Sequence, residues 1–375
     1  VDRPWYTRFN WLLAGSCIAL TIVGIVFISS ATLHEPYAAG EWKSQTVYAV
    51  VGIGVMFGVA FIDYHRWEQW ALPIYLVTLA LLLFITLKGH SALGAARWIQ
   101  IGNFTFQPSE PAKVTVAIAV AALLSRANYR SPWQMPIAVG AVALPALLIL
   151  KQPDLGTTLV VGAILAAELG FGLPNVIDIA IFLGGSVAAA AYVLSSDKIL
   201  KPFQRARLLV FLNPQLDPQG AGYNLNQAKI AVGSGELFGK GLYHGTQTQL
   251  NFVPENSRDF IFTAVGEEAG FVGACGLIAL DVAIVASAMR AVFAAQDRFG
   301  LLLSVGLVTM FAFHMIVNIG MTVGIMPVTG IPLPFVSYGG SALITDYLAA
   351  GILINVALQK DRLVFGDTKL RAEAA

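Results

Sequence analysis

Long apolar runs follow one another along the chain, separated by short polar breaks. Runs near 9–31, 45–63, 69–88, 109–125, 133–150, 155–172, 174–195, 260–289, 301–323 and 336–358 can each cross a hydrocarbon core of about 30 Å as a helix. The pattern predicts an all-α integral membrane protein with about ten transmembrane helices. Between 133 and 195, Pro153 and Pro174 separate the apolar runs, because proline ends or kinks a helix. The first run is longer than the apolar region of a signal peptide, and no small-residue cleavage site follows it before the second run. It is expected to be a retained helix.

The connection between the seventh and eighth helices, 196–258, far exceeds the usual length of a loop. It keeps Phe203, Phe211, Tyr223, Leu237, Phe238 and Tyr243 among its glycines and prolines, which is not the composition of a disordered segment. Short helices on the outer membrane surface are expected there. No tandem repeat or low-complexity tract interrupts the chain, so 1–375 is expected to form a single polytopic membrane domain.

Composition agrees with a lipid solvent. Apolar residues make up 57% of the chain and charged residues only 12%, too few to give a soluble domain its polar surface. A net charge of +1 leaves no field that would attract nucleic acid. Cys17 and Cys275 both fall inside apolar runs, away from metal-ligand or disulfide spacings, and are read as packing residues.

Orientation follows from Lys and Arg in the short loops. Arg3, Arg8, Arg66, Arg126, Arg130, Arg290, Arg298, Lys360, Arg362, Lys369 and Arg371 fall on one side, and Lys43, Lys88, Arg97 and Lys151 on the other. Both termini are therefore expected in the cytoplasm, with 196–258 outside.

Charge is costly in or near a bilayer, so its placement points to chemistry. Gly94-Ala-Ala-Arg97-Trp98 precedes Gln107-Pro-Ser-Glu110-Pro-Ala-Lys113, which opens a helix with Ser109 as the expected N-cap. Glu110 and Lys113 at i, i+3 can pair on one face. One reading is a capped helix with an interfacial ion pair and Trp98 as a belt aromatic. The other gathers the helix N-terminus, Lys113 and Arg97 around an anion such as a phosphate, joined by Arg205, Arg207, Lys229 and Lys240 of the long loop. Solvated charge is the bland account of those loop cations. Gly233-Ser-Gly-Glu-Leu-Phe-Gly-Lys240-Gly241 fails the nucleotide-loop spacing, and Gly241 stands where Ser or Thr is needed. Its glycines are read as turns that allow close backbone approach.

Asp259 sits where the long loop meets the next helix, either as a helix-start residue or as a partly desolvated base. Glu267 and Glu268 follow two turns deeper and need inward-facing partners. Asp281, His314 and Asp346 also lie within spans, with Glu168 and Asp178 nearer the cytoplasmic ends of theirs. His314 and Asn318 share a helix face, which suggests a buried interhelical cluster, with a proton or ion path as the alternative. Gly330-Ile-Pro-Leu-Pro334-Phe-Val-Ser337-Tyr338-Gly339-Gly340-Ser341 suggests irregular backbone lining a cavity.

Taken in order, these strings resemble the SEDS family (shape, elongation, division and sporulation). The match adds Gln152-Pro-Asp154-Leu-Gly-Thr157, Asn213-Pro214, Gly220-Ala-Gly-Tyr223, Gln227, His244-Gly-Thr-Gln247 and Asp259-Phe-Ile-Phe262 to those above, and runs through nearly the whole chain. Gln152-Pro-Asp-Leu-Gly-Thr157 and Gly330-Ile-Pro-Leu-Pro334 look more like the elongation branch than the division branch.

The resemblance implies a peptidoglycan glycosyltransferase of the bacterial cytoplasmic membrane that polymerises lipid II into β-1,4-linked strands and releases undecaprenyl diphosphate. An α-linked donor and a β-linked product imply one inverting displacement, with a base for the attacking hydroxyl and a stabiliser for the leaving diphosphate. Asp259 matches the family's essential aspartate and is the expected base. Arg97, Trp98, Lys113, Arg205, Arg207, Lys229, Lys240, Gln247 and Ser337 are the substrate-binding candidates, with Glu110 and Glu267 as positioning partners. A divalent cation, Mg or Mn, could share the diphosphate role, although no ligand cluster in the sequence specifies one. The implied partners are a class B penicillin-binding protein, the nascent glycan strand and other membrane proteins of the elongation complex. The rival readings are a lipid II flippase, which should show internal repeats with broken helices at the midplane, and a non-catalytic scaffold of the penicillin-binding protein.

Overall fold

Backbone in hydrocarbon must satisfy its own hydrogen bonds, and helices do so segment by segment. The computed structural model describes residues 5–35, 38–88, 97–102, 104–126, 133–173, 176–195, 210–211 and 220–373, which are mostly helical. Helix α1 (Trp5–Arg8) leads into α2 (Trp11–Ala31), α3 (Glu41–Ala60), α4 (His65–Gln69) and α5 (Ala71–Lys88). A small antiparallel hairpin, β1 (Ile99–Ile101) and β2 (Phe104–Phe106), pairs Ile99 with Phe106. It is followed by α6 (Ser109–Arg126), α7 (Gln134–Lys151), α8 (Leu155–Gly172) and α9 (Val176–Ser195). The long connection holds α10 (Ala221–Ser234) and α11 (Thr246–Gln249), and then come α12 (Ile261–Ala294), α13 (Arg298–Val323) and α14 (Gly340–Glu373).

Each of the ten apolar runs coincides with a helix of at least 18 residues. Seven of these are long and apolar enough to cross a membrane, and α5 and α9 carry shorter apolar stretches. The chain is a multi-pass membrane protein. Side-chain caps fix several starts: Asn10 accepts from Leu13 N, Asp154 from Thr157 N, and Asp297 from Phe299 N and Gly300 N. Two edges differ from expectation. Helix α3 begins at Glu41, so Lys43 stands in a helix rather than a loop, and Ser109 is the first residue of α6. Hydropathy registers the hydrocarbon depth of a helix, not its first polar turn.

Helix α6 is the interior element. From Ser109 to Leu124 every side chain except Pro111 and Leu123 is buried, and α5, α7, α8, α13 and α14 all pack on it. Helix α14 lies along α3, and α12 along α2 and α13. The outer faces carry exposed Val47 and Val50 on α3, Leu144 and Leu147 on α7, and Ile177 and Ile181 on α9, as a lipid solvent allows. Cys17 is buried as expected, but Cys275 is exposed on α12. A position inside an apolar run does not say which face of the helix it occupies.

Helix α12 is broken at Gly270, whose φ of 66° and ψ of −163° leave the helical region. The main chain of 236–241 fills the break. Lys240 N and Gly241 N donate to the Glu267 and Glu268 carbonyls at 3.0 Å, and Phe271 N and Val272 N donate back to Glu236 O and Leu237 O at 2.9 and 3.0 Å. A β-carbon on Gly239 would run into the Glu268 carbonyl. These glycines do permit close backbone approach, and the backbone they approach is α12.

At the other end of the bundle, Tyr64 joins three helices. Its hydroxyl donates to Asp297, its N–H donates to Asn355 Oδ1 at 2.9 Å, and Asn355 Nδ2 donates to Ala60 O at 2.8 Å. Burial, then the hydrogen bond to Asp297, pushes the phenol well above its usual range.

Candidate active site

The loop carrying Asp259 has no regular structure of its own, yet three successive carbonyls in it are held from outside. Ser257 O accepts from Tyr338 N at 2.9 Å, Arg258 O from Ser337 Oγ at 2.7 Å, and Asp259 O from Asn318 Nδ2 at 2.9 Å. Ser337 Oγ also accepts from Leu333 N at 2.8 Å. From α3, Gln45 Nε2 donates to Ser337 O at 2.9 Å and Gln45 Oε1 accepts from Gly339 N at 3.2 Å. The irregular stretch between α13 and α14 is thus a frame that fixes the backbone under a half-buried Asp259.

Arg258, next in the chain, faces acids. It pairs with Glu41 and with Glu255 at 3.2 Å each and lies over the Tyr338 ring. Burial works against its charge, but the Glu255 and Glu41 carboxylates outweigh burial and hold the guanidinium above its ordinary range. Ser257 Oγ donates to the same Glu41 at 2.8 Å.

One turn below Asn318 on α13 lies a second cluster. Lys113 Nζ donates to Glu110 Oε2 at 2.8 Å and meets His314 Nε2 at 2.9 Å. His314 Nδ1 faces Met310 O at 2.7 Å. A carbonyl can only accept, so Nδ1 carries the proton and Nε2 accepts from the ammonium. Lys113, Glu110 and His314 are 1%, 3% and 2% exposed. The expected i, i+3 pair is present, but it is sealed inside the bundle rather than open to an anion, with Asp346 within electrostatic reach.

Glu267 organises a third cluster. Its carboxylate accepts from Lys240 Nζ at 2.7 Å, Gln247 N at 2.8 Å, Thr248 N at 2.9 Å, Thr248 Oγ1 at 2.8 Å and Thr246 Oγ1 at 3.2 Å. Glu268 accepts from Ser30 Oγ at 2.6 Å. Both acids found inward partners, as their depth required.

A fourth cluster joins three motifs far apart in sequence. Gln107 Nε2 and Ser109 Oγ donate to Asp154 at 3.2 and 3.3 Å, and Thr157 Oγ1 donates to the same oxygen at 2.9 Å. Gln107 N donates to Ser341 Oγ at 3.0 Å. The Ser109 hydroxyl thus bonds across to α8 instead of capping α6. Arg97 donates to Gln152 O at 2.7 Å and to Pro153 O, and the exposed Trp98 donates to Gln107 Oε1 at 3.2 Å.

Most of the residues singled out in the sequence are therefore brought to one end of the bundle, but with different surroundings. Arg97, Lys113 and Lys240 are engaged with protein acceptors. Lys229 is exposed and lies across Gly324, the left-handed cap of α13, with no acidic partner among the described residues. Gln247 meets Glu267 through its main chain. Arg205 and Arg207 lie outside the described residues. Sequence reasoning missed Glu41 and Gln45, though a polar amide in an apolar helix was an available signal, and it did not connect Asn318 to Asp259. Among the described residues, no group of three or more His, Cys, Asp or Glu side chains could hold a metal ion. The described side chains do not make a cage for the divalent cation considered above.

A family model described as cell cycle protein, covering FtsW, RodA and SpoVE, matches residues 10–362. The peptidoglycan glycosyltransferase MrdB of Escherichia coli is 37% identical over 352 residues, 92% of each chain. The peptidoglycan glycosyltransferase RodA of Treponema pallidum is 33% identical, over 93% of this chain and 97% of its own. A probable peptidoglycan glycosyltransferase FtsW of Trichlorobacter lovleyi is 36% identical over 93% of each. Among solved structures, a chain of a peptidoglycan synthase complex that coordinates polymerization and crosslinking aligns with a TM-score of 0.80 at 29% identity, covering 94% of this chain and 99% of that one. The rod shape determining protein RodA of Thermus thermophilus aligns with a TM-score of 0.71 at 27% identity, covering 96% and 99%.

Proposed function

This chain belongs to the FtsW, RodA and SpoVE family and is a peptidoglycan glycosyltransferase; from that premise we propose that it polymerises lipid II at the membrane face carrying Asp259. The carboxylate of Asp259 takes the proton from the attacking sugar hydroxyl. That oxygen bonds to the anomeric carbon of the donor, the bond from this carbon to the diphosphate breaks, and undecaprenyl diphosphate leaves. Attack opposite the leaving group turns the α-linked donor into a β-1,4 bond. The observation that supports Asp259 is the frame beneath it, since three consecutive carbonyls held by Tyr338, Ser337 and Asn318 give a loop residue the fixed position a base needs. Among the described substrate-binding candidates Arg97, Lys113, Lys229 and Lys240, Lys229 is the one we assign to the departing diphosphate, because it is exposed and has no acidic partner among the described residues. Ser337 and Glu267 act through backbone they hold in place.

Both termini are assigned to the cytoplasm and the Asp259 face to the outside, on the Lys and Arg distribution. The partner is a class B penicillin-binding protein in the elongation complex, a reading supported by the likeness to the synthase complex and to RodA and MrdB. A flippase should carry broken helices for its cargo, whereas the break in α12 is filled by the protein's own 236–241 segment.

The test is glycan-strand synthesis from purified lipid II by the complex with the penicillin-binding protein, comparing wild type with Asp259→Ala and Asp259→Asn. Polymer from wild type and none from folded, partner-bound variants is the expected result. Undiminished polymer from both variants would remove Asp259 from the mechanism, and no polymer from a verified wild-type complex would favour a scaffold.

A further inference from the structure

Asn318 is completely buried near the C-terminal end of α13, five residues before its last residue, Val323. Both hydrogens of its amide are used, one on Asp259 O at 2.9 Å and the other on Ile331 O at 2.8 Å. These bonds also fix how the amide points, because the opposite orientation would set Oδ1 against two carbonyl oxygens. Of the three groups holding the Asp259 loop, Asn318 is the one that stands on a spanning helix. Tyr338 and Ser337 belong to the irregular segment, and Asn318 ties that segment to the loop through Ile331.

We infer that Asn318 is a positioning residue for glycosyl transfer, setting the reach of the Asp259 carboxylate without touching substrate. The inference rests on Asp259 as the base. Asn318 holds the carbonyl of the very residue whose side chain reacts, so its loss frees the local backbone to turn and moves the carboxylate relative to the hydroxyl. A displacement on the order of 1 Å at a reacting group costs up to about 100-fold in rate. It leaves the groups that bind the substrate in place.

The experiment measures kcat and KM for lipid II with the penicillin-binding protein complex of Asn318→Ala and Asn318→Ser, alongside Asp259→Asn and a thermal unfolding curve for each. The expected result is a kcat reduced about 10- to 100-fold with KM within about twofold of wild type, and a smaller loss for Asn318→Ser, which keeps one donor. If Asn318→Ala does not fold, Asn318→Ser decides on the same kcat criterion. A kcat per folded complex equal to wild type, or a loss that falls entirely on KM, would overturn the inference. An active Asp259→Asn would instead remove the reading on which it rests, and the two failures are read from different variants.

Discussion

A charge held inside a protein that is itself inside lipid must be judged by its partner. Lys113 and Glu110 are nearly inaccessible and 2.8 Å apart, so deleting one leaves the other uncompensated. Lys113→Met is expected to destabilise the protein by about 3–5 kcal/mol, and the double change Lys113→Met, Glu110→Gln by clearly less. Denaturant unfolding of the purified variants checks the order; equal losses for both would mean that the pair is not the reason for the cost. The sequence already offered this pair, because residues three apart on a helix share a face. It did not offer His314, which lies 201 positions away from Lys113, nor the bond from Asn318 to the Asp259 carbonyl. Spacing reports neighbours within one element, whereas both of these contacts join separate elements. Glu267 makes the same point from the acid side. Its five donors come from 240–248, and Glu267→Ala should free that loop, read as faster proteolytic cleavage between 235 and 250 with α13 and α14 still protected.

At the scale of the element, the break in α12 shows how a spanning helix can be interrupted without exposing polar backbone to lipid. The freed groups at 267, 268, 271 and 272 pair with 236–241, the kind of local repair that irregular backbone at membrane depth requires. Gly270 is at the turning point, with a backbone conformation reserved in practice for glycine. Gly270→Ala is therefore expected to cost on the order of 1–3 kcal/mol and to speed amide hydrogen exchange at Phe271 and Val272. Gly276, on the same helix, has no neighbour within 4 Å of where a β-carbon would be, and Gly276→Ala should be close to neutral. Equal effects from the two substitutions would show that the break does not depend on Gly270. The glycines of 233–241 were readable as sites of close backbone approach. Their target was not, because neither side of the pairing carries a hydropathy signal.

For the whole molecule, the apolar runs gave the number and order of the long helices, but not which of them is central. Helix α6 opens on Ser-Glu-Pro-Ala-Lys and is not among the seven helices apolar enough to count as spans, yet it is buried on almost every side. The interior helix of a membrane protein meets protein rather than lipid, so the lowest hydropathy and the deepest burial can coincide. Direction across the membrane is a separate property, and it decides whether Asp259 meets lipid-linked sugar outside or faces the cytoplasm. The Lys and Arg count puts α10 outside and the turn between α12 and α13 inside. Asn226 on α10 and Gln296 in that turn are both exposed and make a matched pair of probes. In a background with Cys17 and Cys275 replaced by alanine, Asn226→Cys should react with a membrane-impermeant maleimide in intact spheroplasts. Gln296→Cys should react only after permeabilisation. The reverse pattern would place Asp259 on the cytoplasmic face, where translocated lipid II is absent, and polymerisation at that carboxylate would then fail on topology before any question of chemistry arose.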